Sequence, residues 1–244
     1  MLISGTSSGL GKYLFEELGD YSFQRNISKR CKPCEYINTI IHCAWDTKQT
    51  EKTSYYYVQN AIDIALELLS IPHNQFIFIS SIDVYPKNGK LWTEYDEIDT
   101  REICGIYALT KYIVEQLVLE RATNPIILRP SILLGKYTTG TMKTLARSIT
   151  SENIRTSTWS EYNFVRYEDV LEFINYSKDK LTGVFNFTSR KNVKLHELIP
   201  MSSPDDKFIY KAGNISNMKA ACFVENLNLT SYEIFKKWKK QYYF

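Results

Sequence analysis

Met1-Leu-Ile-Ser-Gly-Thr-Ser-Ser-Gly-Leu-Gly-Lys-Tyr-Leu-Phe-Glu-Glu-Leu18 opens the chain and decides how the rest of it is read. Met1 to Ile3 is a short apolar run of strand character. Gly5, Gly9 and Gly11 follow in a tight cluster, and Leu10, Leu14 and Leu18 then recur at helical spacing. Strand, glycine turn and helix in that order predict a phosphate-binding turn. The first glycine lets the chain reverse, the second admits a pyrophosphate to the backbone, and the third lets the helix lie close on the sheet. The N–H groups at the helix start then face the anion.

Beyond this turn, strand and helix patterns alternate. Tyr21 to Ile27 and Ile37 to Ala44 read as strands, Thr53 to Leu69 as a helix, and Gln75 to Ser81 as a strand buried on both faces. A helix over Gly105 to Glu120 and a strand over Pro125 to Leu134 follow. Weaker signals come after them: helical Met142 to Ile149, extended Phe164 to Val165, helical Tyr167 to Tyr176, a strand over Gly183 to Thr188, and helices at Leu195 to Ile199 and Ser231 to Gln241. Such alternation predicts an α/β fold with a doubly wound parallel sheet. Only some ten residues separate the second and third strands, so one crossover must be abbreviated.

Composition narrows the class. The 244 residues are 44% hydrophobic and 23% charged, as in an ordinary globular enzyme. A net charge of +3 from 30 basic and 27 acidic residues spread along the chain implies neither a nucleic-acid nor a membrane surface. No apolar run approaches the roughly 18 residues of a membrane span, and no basic leader precedes the first strand, so a cytoplasmic protein is expected. The five cysteines suit a reducing compartment. Cys31-Lys-Pro-Cys34 reads as a surface loop, since zinc would need a second pair or nearby histidines, and no metal is expected. His42, at the end of a buried strand, reads as structural.

Three positions carry candidate chemistry. Tyr107 and Lys111 stand four apart on one helical face, where an ammonium can lower a phenol's pKa, and Ser81 ends the buried strand nearby. That is acid–base chemistry suited to hydride transfer at a carbonyl or alcohol. The same spacing recurs at Tyr176/Lys180 and Tyr232/Lys236, but only the first opens a helix after a buried strand ending in serines. About 20 residues past the glycines, where NAD-binding chains carry an acid, stands Arg25, followed by Lys29 and Arg30. A guanidinium there pairs with a 2′-phosphate, so NADP is expected in preference to NAD.

In chain order, Ser4-Gly-Thr-Ser-Ser-Gly-Leu-Gly11, Ile41-His-Cys-Ala44, Ile79-Ser-Ser-Ile-Asp-Val-Tyr85, Tyr107-Ala-Leu-Thr-Lys111, Ile127-Leu-Arg-Pro130, Asn163-Phe-Val-Arg-Tyr-Glu-Asp-Val170 and Gly183-Val-Phe-Asn-Phe187 together resemble the extended short-chain dehydrogenase/reductases, the NAD-dependent epimerase/dehydratase family. The resemblance covers residues 1 to 200. It implies a Rossmann fold with an NADP-binding core over 1–135, and a small substrate-binding lobe with returning Rossmann elements over 136–244. It also implies that Gly5, Thr6, Ser7, Ser8, Gly9, Leu10, Gly11, Arg25, Cys43, Ala44, Lys111 and Pro130 line the cofactor. Ser81, Tyr107 and Lys111 become the catalytic set, and a homodimer through the helices at 54–69 and 106–121 is implied.

The chain departs from the family pattern in informative places. Tyr57 stands where the family has an asparagine, and Ser160-Glu-Tyr162 stands where an arginine commonly grips the substrate diphosphate. Ile82 cannot donate a proton to a departing hydroxyl, which disfavours dehydration, while Asp83 is placed either to abstract an α-proton or to cap a turn. The expected activity is NADPH-dependent reduction of a keto group on a sugar or sugar-nucleotide substrate. The alternatives are a nucleotide-sugar epimerase using Asp83 as base and a non-catalytic NADP-binding sensor.

Overall fold

The computed structural model describes residues 1–23, 36–45, 54–138, 142–143, 156–198 and 207–243. Arg25, Lys29, Arg30, Cys31 and Cys34 lie outside the described residues. β1 (Leu2–Ser4), α1 (Gly9–Leu18), β2 (Tyr21–Phe23), β3 (Ile37–His42), α2 (Ser54–Leu69), β4 (His73–Ile79), β5 (Leu91–Trp92), α3 (Gly105–Arg121), β6 (Pro125–Pro130) and β7 (Ile132–Leu134) follow in order. Then come β8 (Glu161–Tyr162), β9 (Phe164–Arg166), α4 (Tyr167–Ser177), β10 (Gly183–Phe187), β11 (Val193–Lys194), α5 (Leu195–Leu198), β12 (Asn214–Ile215), α6 (Met218–Ala221) and α7 (Ser231–Tyr243).

Six of these strands form one sheet in the order β10-β6-β4-β3-β1-β2, with every pairing parallel. This is the doubly wound Rossmann architecture. Period-2 alternation sorts its apolar side chains onto two faces. Ile3, Ile41, Ile77, Ile126 and Leu128 pack under α1 and α4 with Leu14, Val170 and Phe173. Leu2, Ile40, Phe76, Phe78 and Ile127 pack under α2 and α3 with Leu68, Val114 and Val118. Both faces are covered, which is why β4 and β6 read as continuous apolar runs. From β1 the chain goes to β2 on one side and returns past β1 to β3 on the other, so the crevice past Ser4 and His42 is where the strand order reverses, the place where such sheets bind ligands.

The run from Pro125 to Leu134, read as one strand, is two. Ser131 N–H donates to Phe187 O and Ile132 N–H donates to Asn163 O, so the backbone changes partners at Ser131 and β7 pairs with β9 instead. Around β7 and β9 a second core gathers Leu134, Phe164, Val193, Ile234 and Trp238. The Trp238 indole N–H donates to Gly135 O at 3.2 Å and ties α7 to the end of β7. β10 returns to the edge of the main sheet. Of the second strand, Tyr21–Phe23 is described and Gln24 to Ile27 is not. Among the described residues, no helix is long and apolar enough to cross a membrane.

Candidate active site

The glycine turn and the end of β3 are built against each other. A Cβ on Gly5, whose φ is +75°, would lie 2.7 Å from Ala44 N, and one on Gly11 would lie 2.3 Å from Gly5 O. Gly9, with φ +58°, faces open space: its nearest neighbour would be the Tyr167 hydroxyl at 3.7 Å. Ser8 starts α1 without a side-chain cap, so the first helical N–H groups remain available to an anion. Close packing at two glycines and room at the third is the shape a pyrophosphate needs, and the turn fits a dinucleotide.

Ser4 locks this arrangement. Its Oγ accepts hydrogen bonds from Cys43 N–H and Ala44 N–H, both at 3.1 Å, and lies 2.8 Å from His42 Nδ1. Burial, and then the charge of Lys111, pull the His42 pKa down to about 3, so the ring is neutral and structural as the sequence indicated. Burial pushes the Cys43 thiol up to about 12, against the opposing charge of Lys111. Thr6 Oγ1 lies 2.8 Å from Ser22 Oγ and fastens the turn to β2.

Across the switch point stand Ser81, Tyr107 and Lys111. Ser81 follows the buried end of β4 and caps a short turn over Ile82–Val84, accepting from Asp83 N–H at 3.1 Å. Tyr107 lies in the first turn of α3, half-buried, with Lys111 one turn on and only 4% exposed. The Lys111 ammonium donates to Ile79 O at 2.7 Å and rests 3.7 Å from the ring centroid of Trp45. Burial lowers its pKa to about 7, with Cys43 and Glu115 opposing.

One expectation needs correcting. Lys111 was to lower the Tyr107 pKa, but the phenol is held above its ordinary value by burial and then by the Asp83 carboxylate, with the Ser81 side chain acting the other way. The Lys111 ammonium is 6.0 Å from the Tyr107 ring centroid and engaged by Ile79 O and Trp45, and its charge does not offset the burial of the phenol.

The turn after β4 is capped by Ser81, and the Asp83 carboxylate serves elsewhere. Its Oδ1 takes Lys87 Nζ at 3.1 Å and a hydrogen bond from the Tyr210 hydroxyl at 3.2 Å. Burial, then the nearby Asp83 charge, push the Tyr210 phenol well up. Pro130 is the buried last residue of β6. The Tyr176/Lys180 and Tyr232/Lys236 pairs stack cation on ring at 5.1 and 4.3 Å, the first at the end of α4 and the turn after it, the second on α7.

Two features escaped the sequence reading. Of the ten buried side-chain polar atoms without a partner among the described residues, five stand at the carboxyl ends of the sheet strands: His42 Nε2, Ser80 Oγ, Ser131 Oγ, Asn186 Nδ2 and Thr188 Oγ1. Buried polar groups normally find partners, so this end of the sheet can offer hydrogen bonds to a ligand. Beside that end lies a cleft of about 520 Å³, lined among others by Ile82, Asn163, Thr188, Arg190, Lys191 and Asn192. The sequence reading sought a cation before the Phe164 strand. The loop after β10 carries two instead.

A sequence model described as NAD dependent epimerase/dehydratase family matches residues 2–180. Among curated proteins, none matches the chain in sequence. Similar solved structures include the Bordetella bronchiseptica enzyme WbmG in complex with NAD, at 12% identity and TM-score 0.73 over 99% of this chain and 94% of that one. UDP-glucuronic acid 4-epimerase from Bacillus cereus in complex with NAD follows at 15% identity and TM-score 0.70, covering 97% and 98%. RMD from Pseudomonas aeruginosa, complexed with NADPH, shares 18% identity at TM-score 0.66 over 98% of each chain.

Proposed function

The chain belongs to the NAD dependent epimerase/dehydratase family, and from that premise we propose that it inverts a hydroxyl-bearing carbon of a nucleotide sugar, holding a nicotinamide dinucleotide on the glycine turn. What supports this reading is the chain of contacts from the glycine turn to the candidate acid–base groups: Gly5 packs on Ala44, the neighbouring Trp45 indole lies 3.7 Å from the Lys111 ammonium and edge-on to Tyr107, and the Ser81 side chain bonds Tyr107. A nicotinamide ring bound there supplies reversible oxidation of the carbinol carbon. Tyr107 takes the hydroxyl proton and returns it after the sugar has presented its other face, while Ser81 orients the reacting oxygen. Lys111 holds the nicotinamide ribose and, once drawn off the Trp45 ring by the cofactor, turns its charge to the Tyr107 oxygen so that the phenol can act as base.

Epimerisation by oxidation and return needs no separate base, which suits an Asp83 already engaged by Lys87 and Tyr210. The nucleotide diphosphate takes the cleft beside Ile82, where Arg190 and Lys191 supply the positive charge that Ser160-Glu-Tyr162 lacks. Residues 136–244 then act as the substrate lobe on a 1–135 core. Similar structures bound to NAD, WbmG and the UDP-glucuronic acid 4-epimerase among them, support NAD as the cofactor. NADPH reduction is the second reading, favoured by Arg25 and by the NADPH bound to RMD. A homodimer through the outer faces of α2 and α3 agrees with Tyr55 and Tyr56, both 71% exposed, and is checked by sedimentation.

The test is incubation with NAD⁺ and UDP-glucuronic acid or UDP-N-acetylglucosamine, with 4-epimers resolved by chromatography. Interconversion that falls at least about 10²-fold in Tyr107→Phe, with cofactor binding retained, is expected. NADPH oxidation by keto sugars without epimer formation would establish the reductase. Equal inactivity of wild type and Tyr107→Phe on both kinds of substrate would leave a cofactor sensor.

A further inference from the structure

Lys111 is a buried ammonium with three kinds of neighbour. The Ile79 carbonyl and the Phe78 ring, 4.9 Å away at its centroid, belong to β4 in the middle of the sheet and are fixed. The third neighbour is Trp45, immediately after Ala44 on the lip of the glycine turn and partly exposed. Its indole face meets the ammonium at 3.7 Å, and its Nε1–H donates to the Tyr57 hydroxyl at 2.6 Å. The ring also stands edge-on to Tyr57 and Tyr107, at centroid distances of 6.1 and 6.0 Å.

The indole covers the side of the ammonium next to the glycine turn, and the same indole lies beside the Tyr107 ring. Resting on the reading that a dinucleotide binds the glycine turn, we propose that Trp45 is a removable cover on Lys111: the dinucleotide displaces the indole and takes over the ammonium. Tyr57 is the latch, because its hydroxyl is the acceptor that fixes the closed position. With the indole on it the desolvated cation is satisfied and turned from the Tyr107 hydroxyl. Apparent cofactor affinity is then reduced by the fraction of molecules in which the indole rests on the ammonium.

Two measurements separate the cover from the cofactor reading. In the first, full-length wild type, Trp45→Ala and Trp45→Phe are reductively methylated without cofactor, and Lys111 is followed by peptide mass spectrometry. Slow labelling in wild type and fast labelling in Trp45→Ala is expected, with Trp45→Phe between them, since phenylalanine keeps a ring but cannot bond Tyr57. In the second, NAD⁺ binding is measured by calorimetry. Trp45→Ala is expected to bind about 2- to 30-fold more tightly, the range that a cation–π contact spans.

Wild-type tryptophan emission, excited at 295 nm, is expected to change on adding NAD⁺, and this change disappears in Trp45→Phe. Equal labelling of Lys111 in all three proteins, with NAD⁺ affinity unchanged, overturns the cover while leaving the cofactor reading in place. Faster labelling in Trp45→Ala with no NAD⁺ or NADP⁺ binding to any of the proteins overturns both the displacement and the dinucleotide reading beneath it.

Discussion

Ala44 and Ser4 are joined by a hydrogen bond in which the Ala44 N–H donates to Ser4 Oγ at 3.1 Å, and the Cys43 N–H donates to the same oxygen at the same distance. One hydroxyl therefore fastens the chain leaving β3 to the last residue of β1, across the switch point of the sheet. Ser4→Ala leaves two N–H groups and one face of His42 without a partner. A loss of about 1–3 kcal/mol is expected in urea unfolding. Dinucleotide affinity should fall with it, since Gly5 and Ala44 are no longer held together. A variant as stable as wild type would show that the two N–H groups find water instead.

Gly9 and Gly11 separate binding from folding. A methyl on Gly11 would lie 2.3 Å from the Gly5 carbonyl oxygen, which is backbone and cannot move aside, so Gly11→Ala is expected to lower the melting temperature markedly. A methyl on Gly9 meets nothing closer than 3.7 Å and is limited by its φ of +58°. Gly9→Ala should therefore fold, at a cost of about 1 kcal/mol or somewhat more, and lose dinucleotide binding because the methyl fills the pyrophosphate's approach. Circular dichroism melts beside NAD⁺ calorimetry distinguish the two outcomes.

What could be read from the sequence followed the strength of the local signal. β4 and β6 are apolar runs buried on both faces, and the glycine turn has a spacing with a steric reason, so both were legible within a window of a dozen residues. The split at Ser131 was not, because it depends on Phe187 and Asn163, residues distant in the chain. The Lys111 environment was hidden for the same reason. Spacing put Lys111 on the face of Tyr107, but nothing in the α3 sequence says that Trp45, from the end of β3, takes the ammonium. Arg190 and Lys191 carry no local sequence signal, since their place in the cleft comes from the return of β10 to the sheet edge.

Lys111 also gives the chain a pH signature. Its ammonium titrates near 7 in the folded protein and near 10.4 when unfolded, so between those values the unfolded chain holds more protons and stability rises with pH. Lys111→Met removes this contribution. Comparing urea unfolding of the two proteins at pH 7 and pH 9, wild type should gain about 2 kcal/mol relative to the variant. The raised Cys43 thiol works in the opposite direction above about 8.5, but it is common to both proteins and cancels. A difference that stays flat with pH would mean that Lys111 keeps its charge throughout.

Arg129 and Glu115 form the deepest ion pair among the described residues. Nε and Nη2 of Arg129 both donate to the Glu115 carboxylate, with Nη2 to Oε2 at 2.6 Å, and the two side chains are 5% and 0% exposed. Nη1 donates to the Tyr85 hydroxyl at 2.6 Å, and that hydroxyl donates on to Asn186 Oδ1 at 2.9 Å. One guanidinium thus links β6, α3, the segment after Ser81 and β10, which carries the loop with Arg190 and Lys191. Removing one charge strands the other in the core, so Arg129→Met and Glu115→Leu should each cost about 3–5 kcal/mol. The double variant replaces both with apolar groups of similar length and should recover much of that loss, since the desolvation of two ions is no longer required. The proposed epimerase activity should stay low in the double variant, because Tyr85 loses its donor and β10 is no longer held against the turn after β4. Urea unfolding of the four proteins, with epimerase assays on the same samples, tests both halves. A double variant with normal turnover would confine the network to stability.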